Sequence, residues 1–229
     1  GIIYKNITNN DLIMECGELS NKLVIHKYLY NYVDFVKAFQ YLAKSIHFLH
    51  KIGISHNDIK PTNILSDNNG IMRVIDFGSC INILESKSDL KIICNKMYLK
   101  KFIFKYIDVY SVGFVSPEII ACQYIIIHSK ESYNIDKLLL EIHTNCDIKR
   151  EELVKHKPFF KRILNNPDHF LKDMFCLGTK SGIFKNDVYS LGKTMNYCLK
   201  FPNKKLEHII DKMTTINYTE RPTILSFTK

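Results

Sequence analysis

Asp58, Lys60, Asn63 and Asp76 place a carboxylate, an ammonium, an amide oxygen and a second carboxylate within a short stretch of chain. The first three lie in His56-Asn57-Asp58-Ile59-Lys60-Pro61-Thr62-Asn63, and the fourth opens Asp76-Phe77-Gly78. Such a set suits phosphoryl transfer. That reaction needs a base or positioner for the attacking hydroxyl, oxygen ligands for Mg²⁺ and a cation near the transferring phosphate. Small hard cations take oxygen ligands and keep waters, so no Cys or His cluster is required. Each piece alone has a plainer explanation: a tripeptide arises by chance, and His-x-Asp often marks a capped turn. Their order and spacing weigh against chance.

The flanking sequence is suited to positioning these groups. Ile64-Leu65-Ser66 reads as a strand, Asp67-Asn68-Asn69-Gly70 as a turn, and Ile71-Met72-Arg73-Val74-Ile75 as the return strand. This hairpin would hold Asn63 beside Asp76. Residues 34–50 read as an amphipathic helix with Phe35, Phe39, Leu42, Ile46 and Leu49 on one stripe, Asp34 as N-cap and Gly53 beyond the end. His47 and His50 are three residues apart, which does not make a metal site; they read as solvated or hydrogen-bonded histidines. Val188, Leu191, Met195 and Cys198 give a second buried stripe.

These motifs resemble the larger, C-terminal lobe of eukaryotic protein kinases, in order and over nearly all of the 229 residues. The resemblance implies an α+β fold dominated by helices. Residues 1–18 would be a remnant of the small-lobe strands and hinge, and 19–229 the large lobe with insertions near 79–115 and 122–180. Asp58 would orient the substrate hydroxyl and Lys60 balance phosphate charge, while Asn63 and Asp76 hold Mg²⁺. Met14 would be the gatekeeper, the Glu15 carbonyl and Gly17 N–H would meet the adenine of ATP, and Leu65 would floor it. His56, Phe77 and Gly78 would support the site. Val112-Gly113-Phe114-Val115-Ser116-Pro117-Glu118 looks like the family's Ala-Pro-Glu segment, and Ser111 stands where a hydroxyl touches the catalytic Asp and Lys. Asp187, opening Asp187-Val188-Tyr189-Ser190-Leu191-Gly192, would cap the central helix and bind backbone near the catalytic loop. Arg221 would pair with Glu118 in the interior.

Several features depart from the family pattern. No Gly-x-Gly-x-x-Gly loop, small-lobe Lys or partner Glu is found, so the sequence reads as a fragment or a truncated gene product, expected to bind ATP poorly by itself. Asn57 replaces the usual Arg, which argues against switching by an activation-segment phosphate. A run of 37 residues separates Gly78 from Ser116 and carries Lys87, Lys91, Lys96, Lys100, Lys101 and Lys105. It reads as a solvated insertion or a docking surface for acidic substrates. Between Glu118 and Asp187 lie 68 residues, with helical periodicity at Ile135, Leu138, Leu139 and Ile142. Deleting 122–180 is expected to leave the lobe folded. Only Phe201-Pro202-Asn203 and its immediate neighbours separate the central helix from a helix at 206–213, so the substrate-docking helix usual there would be shortened or lost.

Composition narrows the remaining classes. A hydrophobic content of 46% supports a sizeable core. The seven Cys are scattered without a Cys-x-x-Cys pair, favouring reduced thiols in an intracellular, cytoplasmic or nuclear setting. No apolar run is long enough for a membrane span. The net charge of +9 comes mostly from Lys and accompanies abundant Asn, Ile and Tyr without Trp. That bias suggests an AT-rich genome, and without a recognition motif the charge does not indicate nucleic acid.

The resemblance therefore implies a serine/threonine kinase that moves the γ-phosphate of Mg-ATP onto protein hydroxyls. Lys60 and its Lys-Pro-x-Asn string favour Ser/Thr over Tyr acceptors. A pseudokinase scaffold is the alternative, although it has no chemical need to keep Asp58, Lys60, Asn63 and Asp76 together. Small-molecule kinases share the His-x-Asp-x-x-x-x-Asn string but generally lack the Ser-Pro-Glu segment and the Asp-Val-Tyr-Ser-Leu-Gly helix.

Overall fold

The computed structural model describes residues 4–8, 11–14, 32–66, 71–83, 110–128, 130–175 and 181–227. Glu15, Gly17, the turn at 67–70 and the lysines between 87 and 105 lie outside the described residues. Helices dominate, and the strands form three two-stranded antiparallel sheets. β1 (Tyr4–Thr8) pairs with β2 (Asp11–Met14), placing Met14 opposite Tyr4.

Helix α1 (Tyr32–Lys51) begins before Asp34, so Asp34 is not its N-cap; it lies in the first turn, where its charge favours the helix dipole. The inward stripe is Phe35, Ala38, Phe39, Leu42, Ala43 and Ile46, and it ends on His50 rather than Leu49, which is half-buried. Gly53 follows at φ 80°, a left-handed value that glycine adopts without strain, and its N–H bonds the His50 carbonyl at 3.1 Å. The chain then reverses into β3 (Ile54–Ser55), which pairs with β6 (Ile81–Asn82). Between them lies the hairpin of β4 (Ile64–Ser66) and β5 (Met72–Val74), in register Ile64 to Val74 and Leu65 to Arg73.

The remaining helices are α2 (Pro117–Ile127), α3 (Ile135–Cys146), α4 (Arg150–Lys155), α5 (Lys157–Asn165), α6 (Pro167–Met174), α7 (Ile183–Cys198) and α8 (Lys204–Met213). Their starts follow local chemistry. Asn134 caps α3 by accepting from the N–H groups of Asp136 and Lys137, and Pro117 and Pro167 occupy first-turn positions that need no N–H. At α8, Asn203 Oδ1 accepts from Leu206 N and Asn203 N donates back to Glu207.

Two apolar cores result. One joins α1, the hairpin, Ile59, the Val188, Leu191, Met195 and Cys198 stripe of α7, and α8. The other joins α2, α3, α5, α6 and the first turn of α7. Ten consecutive residues of α2, Pro117 to Ile126, are buried, as expected of a helix apolar on all sides. The described residues of 122–180 contribute to this core, so their deletion is expected to disrupt the lobe. Tyr124, Ile142, Cys146, Phe160 and Met174 are fully enclosed and pack in the same core as Ile183 and Phe184. Deleting them would strip α7 of its support instead of leaving the lobe folded.

α7 also packs closely on the turn after α8. A Cβ at Gly192 would come within 2.8 Å of Met213 Cβ and 2.9 Å of Thr214 Cγ2, so the approach depends on the missing side chain.

Candidate active site

The segment Ser55–Asn63 leaves β3, crosses the top of α7 and enters the hairpin. Its anchor is Asp187. That residue is fully buried, and it lies inside α7, which begins four residues earlier at Ile183, so it does not cap the helix. Its Oδ2 accepts from His56 N at 2.8 Å and its Oδ1 from Asn57 N at 2.8 Å. Oδ2 also meets His50 Nε2 at 2.8 Å. Burial pushes the Asp187 carboxyl up. The hydrogen bond and charge of His50, the charge of His56 and the His56 N–H outweigh burial and hold it below its ordinary value. His50 is itself stacked on Phe184 with ring centroids 4.3 Å apart.

With its amide bound to Asp187, Asn57 takes φ 64°, a left-handed turn that Asn tolerates better than most residues. The turn presents Asp58. Its backbone N–H donates to His56 Nδ1 at 3.3 Å, and His56 Nε2 reaches the Ile75 carbonyl at 3.1 Å. The carbonyl can only accept, so Nε2 is the donor in that contact. Phe77 packs beside that ring at 5.2 Å between centroids.

Three side chains converge on the Asp58 carboxylate. Lys60 Nζ donates to Oδ2 at 2.7 Å and Asn63 Nδ2 to the same oxygen at 2.9 Å. Ser111 Oγ donates to Oδ1 at 2.7 Å and accepts from Lys60 Nζ at 2.7 Å. Carboxylate, ammonium and hydroxyl thus form a closed triangle across a sequence separation of 53 residues.

Asn63 fits a cation site. Its amide nitrogen donates to both the carbonyl and the carboxylate of Asp58, which turns Oδ1 away as the remaining acceptor. Across the hairpin base, Ile75 N donates to the Asn63 carbonyl at 2.9 Å, so Asp76 follows directly after the residue paired with Asn63. Asp76 is exposed, adopts φ 64° and accepts from Gly78 N at 3.3 Å. A side chain at Gly78 would meet Asp76 Oδ1 at 3.2 Å. One amide oxygen and one carboxylate suit Mg²⁺, which keeps waters and phosphate ligands. Among the described residues no group of three His, Cys, Asp or Glu could cage a metal.

Leu65 is half-buried in β4, and Met14 ends β2. Behind the site, Arg221 Nη1 bonds Glu118 Oε1 at 2.6 Å and Nη2 bonds Oε2 at 3.2 Å, both side chains being fully enclosed. Arg221 also donates to the carbonyls of Lys185 and Thr215 and lies 4.9 Å from the Tyr189 ring centre. Sequence reading did not single out Asn186. Its amide bonds Asn57 at 3.2 Å, a contact spanning 129 residues that no local pattern announces. His50 was recognised only as a solvated or hydrogen-bonded residue, because an imidazole on a helix stripe does not reveal its partner.

The fold and this geometry define a protein kinase large lobe. The protein kinase domain family matches residues 4–229, and the chain belongs to that family. A probable serine/threonine-protein kinase of Schizosaccharomyces pombe is 29% identical over 168 residues, 63% of this chain and 21% of that protein. Protein kinase gsk3 of the same yeast is 37% identical over 93 residues, covering 37% of this chain and 24% of its own length. A probable serine/threonine-protein kinase of Encephalitozoon cuniculi, described as an MRK1 homolog, is 34% identical over 35% of this chain and 28% of its own. The chain thus spans about a quarter of the length of these relatives.

Proposed function

We propose that this lobe, within its full-length protein, transfers the γ-phosphate of Mg-ATP to Ser or Thr hydroxyls of a protein substrate. The supporting observation is that the Asp58 carboxylate already holds a hydroxyl, that of Ser111, at 2.7 Å, with the Lys60 ammonium 2.7 Å from each. A substrate hydroxyl bound there would be oriented by Asp58, and Lys60 would offset charge on the phosphate as it transfers. Asn63 Oδ1 and Asp76 would hold Mg²⁺, which supplies charge neutralisation at the phosphates when bound. Met14, Glu15, Gly17 and Leu65 would frame the adenine. Residues 1–18 would belong to the small lobe.

The test is phosphate transfer from labelled Mg-ATP to a generic Ser/Thr protein substrate by the full-length protein and by its Asp58→Asn variant. The variant should lose on the order of 10²–10⁴-fold in kcat. Equal transfer by parent and variant overturns the role of Asp58. Mg-dependent nucleotide binding without transfer by the folded parent would favour a scaffolding pseudokinase.

A further inference from the structure

We propose that Asn57 and Asn186 form a neutral amide relay that ties Ser79 to Ser116 across the 79–115 segment, alongside the carboxylate anchor of Asp187.

The relay runs through four elements. Ser79 follows Asp76-Phe77-Gly78, and its carbonyl accepts from Asn57 Nδ2 at 3.2 Å. Asn57 Oδ1 accepts from Asn186 Nδ2 at 3.2 Å. Asn186 Oδ1 accepts from Ser116 N at 3.1 Å, immediately before α2. All four residues are buried. The backbone partners at the two ends set the direction of both amides. A carbonyl only accepts, so Asn57 must present nitrogen to Ser79; an N–H only donates, so Asn186 must present oxygen to Ser116. The remaining oxygen and nitrogen then face one another as acceptor and donor. No other orientation satisfies the chain.

The relay passes beside the reacting groups. Asn57 precedes Asp58, Asn186 precedes Asp187, and Ser111, which bonds Asp58, lies five residues before Ser116. The donors and acceptors of the relay carry no formal charge, and Ser55 Oγ links Asn57 Oδ1 to Asp187 Oδ2 at 3.0 and 3.1 Å. Asn57 and Asn186 are therefore positioning residues whose hold on Asp58, Ser79 and Ser116 is built into the fold. The structural coupling rests on these hydrogen bonds alone. Its consequence for turnover rests on the proposed kinase activity.

The coupling is tested by amide hydrogen exchange on the full-length protein, which needs no turnover. Asn57→Ala should raise exchange at Ser116, which it does not touch, on the order of ten-fold. Asn186→Ala should likewise raise exchange at Cys80 and Ile83, whose N–H groups bond the carbonyls of Phe77 and Gly53. Ile210→Val, which loosens the core of α1, α7 and α8 without touching the relay, serves as the control and should leave these amides unchanged relative to the rest. If each Asn variant affects only its own end, the relay is overturned. Asn57→Asp supplies an orthogonal readout, since Asp keeps the left-handed turn and donates to the Ser79 carbonyl only when protonated. Its exchange at Ser116 should approach that of the parent as pH falls and depart from it as pH rises. A pH-independent ratio also overturns the proposal. Absence of transfer by the folded parent, with the coupling present, counts against the kinase reading and leaves the relay standing.

Discussion

Arg221→Met should destabilise the lobe by about 4 kcal/mol. The substitution keeps much of the aliphatic stem and removes the guanidinium. Glu118 would then be an uncompensated carboxylate with a side-chain exposure of 0%. Breaking a buried pair in this way costs roughly 3–5 kcal/mol. The Thr215 carbonyl also loses two donors, at 2.8 and 3.2 Å, and the Lys185 carbonyl loses one at 2.7 Å. Lys185 does not substitute, because its ammonium is held by the Arg221 backbone carbonyl. Against a typical domain stability of about 5–15 kcal/mol, this is a large share. Urea unfolding followed by circular dichroism would read it as a fall in the midpoint at constant slope. Glu118→Gln combined with Arg221→Met should cost less than the sum of the two single changes, with a coupling of at least ~1 kcal/mol. A single-variant cost below about 1 kcal/mol, or strict additivity, would refute the assignment of stability to this pair.

The other predictions concern α7. Asp187 has a depressed folded value, so it contributes stability above its unfolded pKa of about 3.9, and that contribution is lost as pH falls below this value. Urea midpoints measured between pH 5 and 2.5 should therefore drop more steeply for the parent than for Asp187→Asn; parallel profiles would contradict the linkage. Gly192→Ala forces a carbon against Met213 and Thr214 and should cost about 1–3 kcal/mol by overpacking, whereas Ala is ordinarily the better helix former. An unchanged or raised melting temperature would show that the turn after α8 yields freely.

What could be read from the sequence was local. The hairpin appears where apolar runs flank a turn signal, and α1 appears where apolar residues recur at helical spacing, because periods of two and 3.6 need no knowledge of the partner. Element ends were harder. Asp34 looked like a cap because its side chain can be one, yet the helix extends two residues further. Asp187 looks like a cap for the same reason, but α7 begins earlier and the carboxylate binds the His56 and Asn57 N–H groups from within the helix. The segment 122–180 reads as an insertion because 68 residues lie between Glu118 and Asp187, where the resemblance implies a short connection, and that spacing does not show how its apolar residues pack. In the structure they face α2 and α7, and Tyr124 is as enclosed as Phe35. Sequence separation hides such partnerships, and the Asn57–Asn186 contact was hidden in the same way.

The two cores explain why the site is where it is. One core fixes α1, the hairpin and Ile59, and the other fixes α2 and the first turn of α7. Among the described elements only α7 contributes to both, and Asn186 and Asp187 lie where its buried stripe passes from one core to the other. Polar side chains at such a seam satisfy backbone groups from both sides without opening either apolar interior. His56 N and Asn57 N take Asp187, while Ser116 N takes Asn186. The Ser55–Asn63 segment and the Ser-Pro-Glu segment are thereby referenced to adjacent residues of one helix. That shared reference brings Ser111 and Lys60 onto Asp58 at 2.7 Å although they reach it from different parts of the chain.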